Sequence, residues 1–198
     1  SLNFFESTLF DPAGMRRMLP LRANFYINYH HGNMGEDSLR ALTSTLANHG
    51  YIYAQTANCF ESSRAPAGSG FNVDDSDAYV TAYAQMRGGG GYYVADECHN
   101  EMVPGTFEQY QRIKRLDPDS FTLASNLAST TSLGLRPDSA DVLATDPYPL
   151  YGREAAEGYD MSLVYRWARQ RRAAARGTHP WWMDLQFFRT TGDSRWPT

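Results

Sequence analysis

The chain has 198 residues, of which 42% are hydrophobic and 20% charged, with a formal net charge of −4. This length supports one domain with a sizeable core and is too short for two. The mild acidity excludes a nucleic-acid binder that relies on a basic face, and no apolar run approaches the roughly 20 residues of a membrane span. Two cysteines exclude a disulfide scaffold and a cysteine-rich zinc site. We therefore expect residues 1–198 to form a single aromatic-rich globular domain.

Extended apolar runs alternate with helical patterns along the chain. The runs that predict strands are residues 24–29, 51–55, 92–95, 121–124, 141–145 and 180–186. The patterns that predict helices are residues 39–48, a segment from 75 or 76 to 87, and residues 104–116 and 161–176. Alternating strands and helices with short connections indicate a parallel sheet covered by helices. A doubly wound sheet and a (β/α)8 barrel share this pattern.

Two features favour the barrel. No strand is followed by the glycine-rich phosphate turn of a dinucleotide fold, because the run Gly88–Gly91 precedes its strand instead. We interpret that run as a helix end and a tight loop rather than as a flexible linker. The predicted strands also end, one after another, in polar or aromatic residues, as they do at the catalytic mouth of a barrel. The sequence therefore predicts an α/β fold of the TIM-barrel type.

Three segments carry a resemblance to a known family. Residues 91–97 (GYYVADE), 141–149 (DVLATDPYP) and 182–188 (WMDLQFF) resemble (β/α)8 glycoside hydrolases of the large retaining clan that includes β-galactosidases. The likeness is greatest to bacterial members whose fourth barrel strand ends in an Asp-Glu pair. The resemblance maps the six predicted strands onto barrel strands two to seven. It therefore implies an incomplete barrel, with open edges covered by another part of a longer chain or by a partner subunit.

The resemblance implies that Glu97 is the general acid/base, because that clan places its acid/base glutamate at the end of the fourth strand. The residues themselves are compatible with this role, since a carboxyl group that follows a buried strand beside Asp96 can have its pKa raised by desolvation and by a like charge. Gln186 stands where the clan has its nucleophilic glutamate, and an amide cannot form a glycosyl ester. The second carboxylate must then be another residue. Asp146 is the leading candidate, ahead of Asp184 and Glu61.

Each candidate also has a structural interpretation that the sequence leaves open. Glu97 could form a surface salt bridge, Asp146 could start an Asp-Pro turn, and Trp182 could pack in the core. Asp184 could pair with an arginine inside the fold, since a buried aspartate needs a hydrogen-bonding or charged partner. The residues that we expect to contact a sugar are Asn28, Asp96, Tyr148, Trp182, Asp184 and Gln186.

The leading hypothesis is thus a carbohydrate-active barrel that needs no cofactor or metal and binds no nucleic acid. One alternative is a catalytically silent barrel that binds glycan or serves as a structural module, which Gln186 and the incomplete barrel favour. Another is a metal-dependent hydrolase, although no regular ligand spacing supports it. Its candidate ligands at the predicted strand ends are His30, His31, Glu97, Cys98 and His99. Cys59 and Cys98 follow adjacent strands and are either free thiols or a disulfide. The resemblance favours an extracellular or periplasmic location, although no signal peptide is recognisable in this segment.

Overall fold

The computed structural model describes residues 25–27, 36–56, 77–96, 103–125, 139–149 and 160–183. The strands in these ranges are β1 (Phe25–Ile27), β2 (Ile52–Thr56), β3 (Gly89–Asp96), β4 (Phe121–Ser125), β5 (Val142–Thr145) and β6 (Trp181–Met183). The helices are α1 (Glu36–Asn48), α2 (Asp77–Ala84), α3 (Val103–Leu116) and α4 (Ser162–Ala175). The predicted alternation of strands and helices is therefore confirmed over the described residues.

All six strands belong to one sheet, in the order β1-β2-β3-β4-β5-β6. Every neighbouring pair is parallel. A doubly wound sheet reverses its strand order at a switch point, whereas the wall of a barrel keeps the order of the chain. The sheet is therefore part of a barrel wall, as predicted, and the carboxyl ends of all its strands lie at one edge.

The sheet separates two clusters of buried side chains. The inner cluster contains Ile27, Tyr93, Leu123, Val142 and Ala144. The outer cluster joins the sheet to the helices and includes Leu39, Leu46, Val80, Tyr83, Ile113 and Leu143. Successive residues of β5 alternate between the two clusters, as the pleat of a strand requires. Because both faces are buried, the strands are apolar almost throughout, which explains their lack of polar alternation in the sequence.

The glycine run Gly88–Gly91 lies in a closely packed part of the fold. The structure corrects our prediction here, because β3 begins at Gly89 and not after the run. A Cβ atom at Gly90 would lie 2.6 Å from Cγ2 of Ile52, and one at Gly91 would lie 2.7 Å from the Phe121 ring. Gly88 has a φ of +86°, and a Cβ atom there would overlap the carbonyl oxygen of Thr43 in α1. Glycine is required because the neighbouring elements come too close for a side chain.

Replacing Gly88 with alanine is expected to destabilise the fold more than replacing Gly50. Gly50 also has a positive φ, +78°, but no atom lies within 4 Å of its missing Cβ. Gly50→Ala should cost about 1 kcal/mol for the left-handed conformation alone. Gly88→Ala should cost about 3 kcal/mol, because the overlap with Thr43 adds to that strain. Urea unfolding of both variants measures the difference, and equal losses would contradict the packing argument.

Two buried tyrosines join α2, β3 and the loop after α3. The Tyr92 hydroxyl donates a hydrogen bond to Oδ2 of Asp117 at 2.9 Å, and the Tyr83 hydroxyl donates one to the carbonyl of Gly91 at 3.1 Å. Their ring centroids lie 4.9 Å apart in an edge-to-face arrangement. Burial raises the pKa of both hydroxyls, and the negative charge of Asp117 raises the pKa of Tyr92 further.

These pKa shifts predict a loss of stability in alkali. Above pH 10, the ordinary pKa of tyrosine, the unfolded chain releases both protons while the folded chain keeps them. Their contribution to stability is therefore complete below pH 10 and falls as the pH rises, by about 1.4 kcal/mol per pH unit for each tyrosine. Tyr92→Phe removes one of the two buried hydroxyls, so the free energy of unfolding should fall less steeply with pH than in the wild type. Tyr165→Phe on the surface of α4 should leave this slope unchanged. An unaltered slope in Tyr92→Phe would contradict the assignment.

Candidate functional site

The carboxyl edge of the sheet brings three strand ends together. Asp96 ends β3 and is the register partner of Ser125, which ends β4. Ser125 is in turn the register partner of Ala144 in β5, and Asp146 follows two residues later. The ends of β3, β4 and β5 therefore lie side by side at one level. Catalytic residues of α/β barrels come from this edge, so it is the candidate active site.

Asp146 is the carboxylate whose side chain the structure describes at this edge. It is buried, with 5% of its surface exposed, although it follows the last residue of β5. Its Oδ2 atom accepts a hydrogen bond of 2.9 Å from the hydroxyl of Tyr148. Two residues that the sequence proposed separately, as a catalytic group and a sugar contact, are thus in direct contact.

Arg171 of α4 supplies the opposite charge. Its side chain is buried, with 1% of the residue exposed. Burial lowers the pKa of Arg171 to about 10, and the negative charge of Asp146 acts against that shift. The charge of Asp146 at the strand end therefore stabilises the charged form of the buried Arg171 guanidinium, and Asp146 does more than start a turn.

Sequence reasoning missed Arg171, although a signal was present. Leu163, Trp167, Arg171 and Ala175 follow one another at intervals of four residues along the same helix, and the first and last of them are buried. A charged residue inside such an apolar stripe predicts a buried charge, which needs a partner. The position of the arginine could therefore have been found, but its pairing with Asp146 could not.

Ser125 is a second polar group that the sequence did not single out. It is fully buried, with an exposed fraction of 0%. Leu123 belongs to the inner cluster and Ala124 to the outer one, so alternation places Ser125 on the inner side. Its hydroxyl has no hydrogen-bond partner in the part of the chain that the structure describes. Serine is common at strand ends, so nothing in the sequence marks this one.

The opposite edge of the sheet is held together by Asp141, which precedes β5. Its carboxylate accepts hydrogen bonds from the backbone N–H of Thr122 at 2.9 Å, from the Tyr110 hydroxyl at 3.1 Å and from Nζ of Lys114 at 3.1 Å. Its partners on β4 and α3 show that this carboxylate ties the amino-terminal edge of the sheet to a helix. Asp141 is therefore structural, in contrast to the residues at the carboxyl edge.

Trp182 packs in an aromatic cluster on the inner side of the sheet. Its ring centroid lies 5.7 Å from that of Phe25 and 6.3 Å from that of Phe121. Phe25 and Phe121 begin β1 and β4, so this cluster lies toward the amino-terminal end of the barrel. Trp182 nevertheless keeps 38% of its surface exposed. The structure thus brings Trp182 into contact with core aromatics rather than with Asp146 or Tyr148.

The remaining predicted site residues lie outside what the structure describes. The backbone of Asp96 is placed at the end of β3, but its side chain is not described. The other candidates lie entirely outside the described ranges. They are Asn28, Glu61, Glu97, Asp184 and Gln186, together with His30, His31, His99, Cys59 and Cys98. Within the described ranges, no three His, Cys, Asp or Glu residues are grouped to hold a metal ion. The helices of those ranges are all too short or too polar to cross a membrane.

Comparison with solved structures identifies the fold. No family model and no curated protein matches the sequence. A GH113 β-mannanase from Alicyclobacillus acidocaldarius aligns with a TM-score of 0.62 and 15% identity, over 95% of this chain and 69% of the enzyme. A GH2 β-galacturonidase from Eisenbergiella tayi aligns with a TM-score of 0.60 and 19% identity, over 90% of this chain. Endo-glycoceramidase II from a Rhodococcus species aligns with a TM-score of 0.58 and 13% identity, over 91% of this chain and 64% of the enzyme.

The fold is the α/β-barrel fold that these solved structures share. The chain covers only 32% of the length of the β-galacturonidase, so it corresponds to part of that longer protein. The parallel sheet and these neighbours together confirm an incomplete TIM-type barrel. At this identity the likeness establishes the fold.

Proposed function

We propose that this barrel acts on a poly- or oligosaccharide, with Glu97 as the general acid/base. The observation that carries the proposal is the position of β3. This strand lies within the sheet between β2 and β4, and its last residue, Asp96, lies at the carboxyl edge beside Ser125. Glu97 follows Asp96 directly, where a barrel presents residues to a substrate.

Asp146 is proposed as the second carboxylate, because it follows β5 at the same edge. We assign it the role of nucleophile or general base, because Glu97 takes the role of the acid. Asp184 and Glu61 are the other candidates, and Gln186 cannot take this role. A separation of about 5 Å from Glu97 would imply retention through a covalent intermediate, and roughly 6.5–9.5 Å would leave room for an inverting water.

The proposed sugar contacts share the ability to bind hydroxyl groups or to stack on a ring. Amide and carboxylate oxygens accept hydrogen bonds from sugar hydroxyls, and Tyr148 can offer its ring beside Asp146. The proposed contact residues are Asn28, Asp96, Tyr148, Trp182, Asp184 and Gln186. Among them Trp182 is the least favoured by its surroundings, since its ring already packs on Phe25 and Phe121.

A screen for hydrolysis and binding tests this proposal. The full chain is incubated with neutral and acidic polysaccharides and with their oligosaccharides, and released reducing ends are measured. Binding is measured in parallel by calorimetry. Hydrolysis of at least one substrate class, resistant to a chelator, supports the glycosidase. Hydrolysis that stops with the chelator and returns with a metal would instead support the metal-dependent hydrolase.

A catalytically silent glycan-binding module is the second candidate. The feature that favours it is Gln186, which removes the nucleophile expected at the end of the last predicted strand. Such a module would bind saccharides in the calorimeter and release no reducing ends from any of them. If the chain neither binds nor hydrolyses any of the saccharides, both candidates are contradicted.

A further inference from the structure

The outer face of α4 carries a regular row of arginines. Residues 162–176 contain five arginines and no acidic residue, on a chain whose net charge is −4. Tyr165, Arg169, Arg172 and Arg176 follow one another at intervals of four, three and four residues. At 3.6 residues per turn the first three fall within an arc of about 60° and extend over about 10 Å of α4, and Arg176 follows as the C-terminal cap of the helix. We call these four residues the arginine stripe.

The stripe faces water, and no acidic partner of its charges lies in the described part of the chain. All four side chains are exposed, and Tyr165 keeps 64% of its surface. Arg169 lies over the Tyr165 ring, 5.8 Å from the centroid, an arrangement that holds a guanidinium beside an aromatic face. Arg166, on the flank of the stripe, is paired with Asp160 at 2.7 Å. Among the described residues no ion pair involves Arg169, Arg172 or Arg176.

The helix dipole explains only part of this arrangement. Cations near a helix C-terminus are stabilised by the dipole within the last turn, which covers Arg172 and Arg176. It does not account for Arg169 or for an exposed tyrosine a full turn earlier. Arg176 also has a left-handed backbone with φ of 50°, a conformation that favours glycine. The stripe therefore places positive charge and an aromatic ring on a surface where neither packs in the core.

We propose that the arginine stripe binds an acidic glycan chain, through the carboxylates of successive sugars. Guanidinium groups bind carboxylates in a bidentate manner, and the spacing of the arginines along α4 suits a linear chain with repeated charges. The exposed ring of Tyr165 offers a face on which a sugar can stack. This inference rests on the proposed action on saccharides and narrows the ligand to acidic ones, bound outside the carboxyl edge.

Binding of polygalacturonate, compared with a neutral galactan, tests the stripe. The wild-type chain should bind polygalacturonate with an affinity that falls as salt rises. The triple variant Arg169→Gln/Arg172→Gln/Arg176→Gln should lose about tenfold in affinity, and Tyr165→Ala should lose several-fold. The matched control Arg40→Gln/Arg87→Gln/Arg115→Gln removes the same charge from exposed positions on other elements and should lose less than about twofold.

The outcomes separate this inference from the proposed function. Equal losses in the stripe and control variants would show that total charge alone decides binding, and would overturn the stripe. Anionic lipid vesicles or RNA bound as tightly as polygalacturonate would overturn the acidic glycan as its ligand. Stripe-dependent binding without hydrolysis of any saccharide would uphold the stripe and reject the glycosidase. Hydrolysis without stripe-dependent binding would reject the stripe and uphold the glycosidase.

Discussion

Asp146→Asn is expected to destabilise the fold by about 3 kcal/mol, because it removes a carboxylate charge that stabilises the buried guanidinium of Arg171. Asp146 and Arg171 are both almost completely buried, so water cannot replace the lost partner. The hydrogen bond from Tyr148 to Asp146 also weakens when the carboxylate becomes a neutral amide. Urea unfolding at pH 7 measures the loss, and Asp119→Asn on the exposed loop before β4 is the matched control.

A double-mutant cycle separates the pair from its surroundings. Arg171→Met keeps an unbranched apolar stem and removes the charge, leaving Asp146 as the buried ion. The double variant Asp146→Asn/Arg171→Met should be more stable than either single variant, because no isolated charge is left in the interior. Strict additivity of the two single losses would show that the charges do not interact.

The same pair has a signature in alkali. Burial lowers the pKa of Arg171 to about 10, so above that pH the folded chain releases this proton more readily than the unfolded chain. The contribution of Arg171 to stability therefore rises from about pH 10 toward the ordinary pKa of arginine, and it opposes the loss caused by the two buried tyrosines. Arg171→Met should make the alkaline loss of stability steeper.

The strand and helix pattern of the sequence was sufficient to predict the architecture. Apolar runs such as 121–124 and helical stripes such as Leu39–Leu46 reflect burial on a face, which is a local property of the chain. The order of the strands in the sheet is not local, but short connections and the lack of a phosphate turn favoured the barrel over the doubly wound sheet. The glycine run was misjudged, because Gly89–Gly91 pair with β2 and β4 through contacts that only the packed sheet shows.

The site was predictable only in part, for a related reason. Asp146 and Tyr148 could be placed at a strand end from the sequence, and their hydrogen bond follows from a separation of two residues. Arg171 lies 25 positions after Asp146, so their pairing depends on how α4 packs on β5. No pattern in the sequence marks Ser125, since its hydroxyl differs from that of any other serine only in the residues that pack around it. Long-range partners and unpaired groups are properties of the fold rather than of the local sequence.

Glu97→Gln is expected to reduce hydrolysis of a saccharide by about 10²–10⁴-fold, the usual contribution of general acid–base catalysis. Glutamine has nearly the same shape but cannot donate a proton to the departing sugar oxygen. The melting temperature should be unchanged, since the proposed role of Glu97 is chemical and not structural. Glu108→Gln, an exposed glutamate on α3, is the matched control and should retain full activity.

The dependence of this loss on the leaving group tests the central claim most directly. The dinitrophenolate of a dinitrophenyl glycoside departs without being protonated, whereas a sugar leaving group needs a proton from a general acid. We predict that Glu97→Gln loses far more activity on the saccharide than on the dinitrophenyl glycoside, while Glu108→Gln matches the wild type on both. The ratio of kcat/KM values for the two substrates is the quantity to measure. Equal losses on both substrates, or full activity of Glu97→Gln on the saccharide, would contradict Glu97 as the general acid.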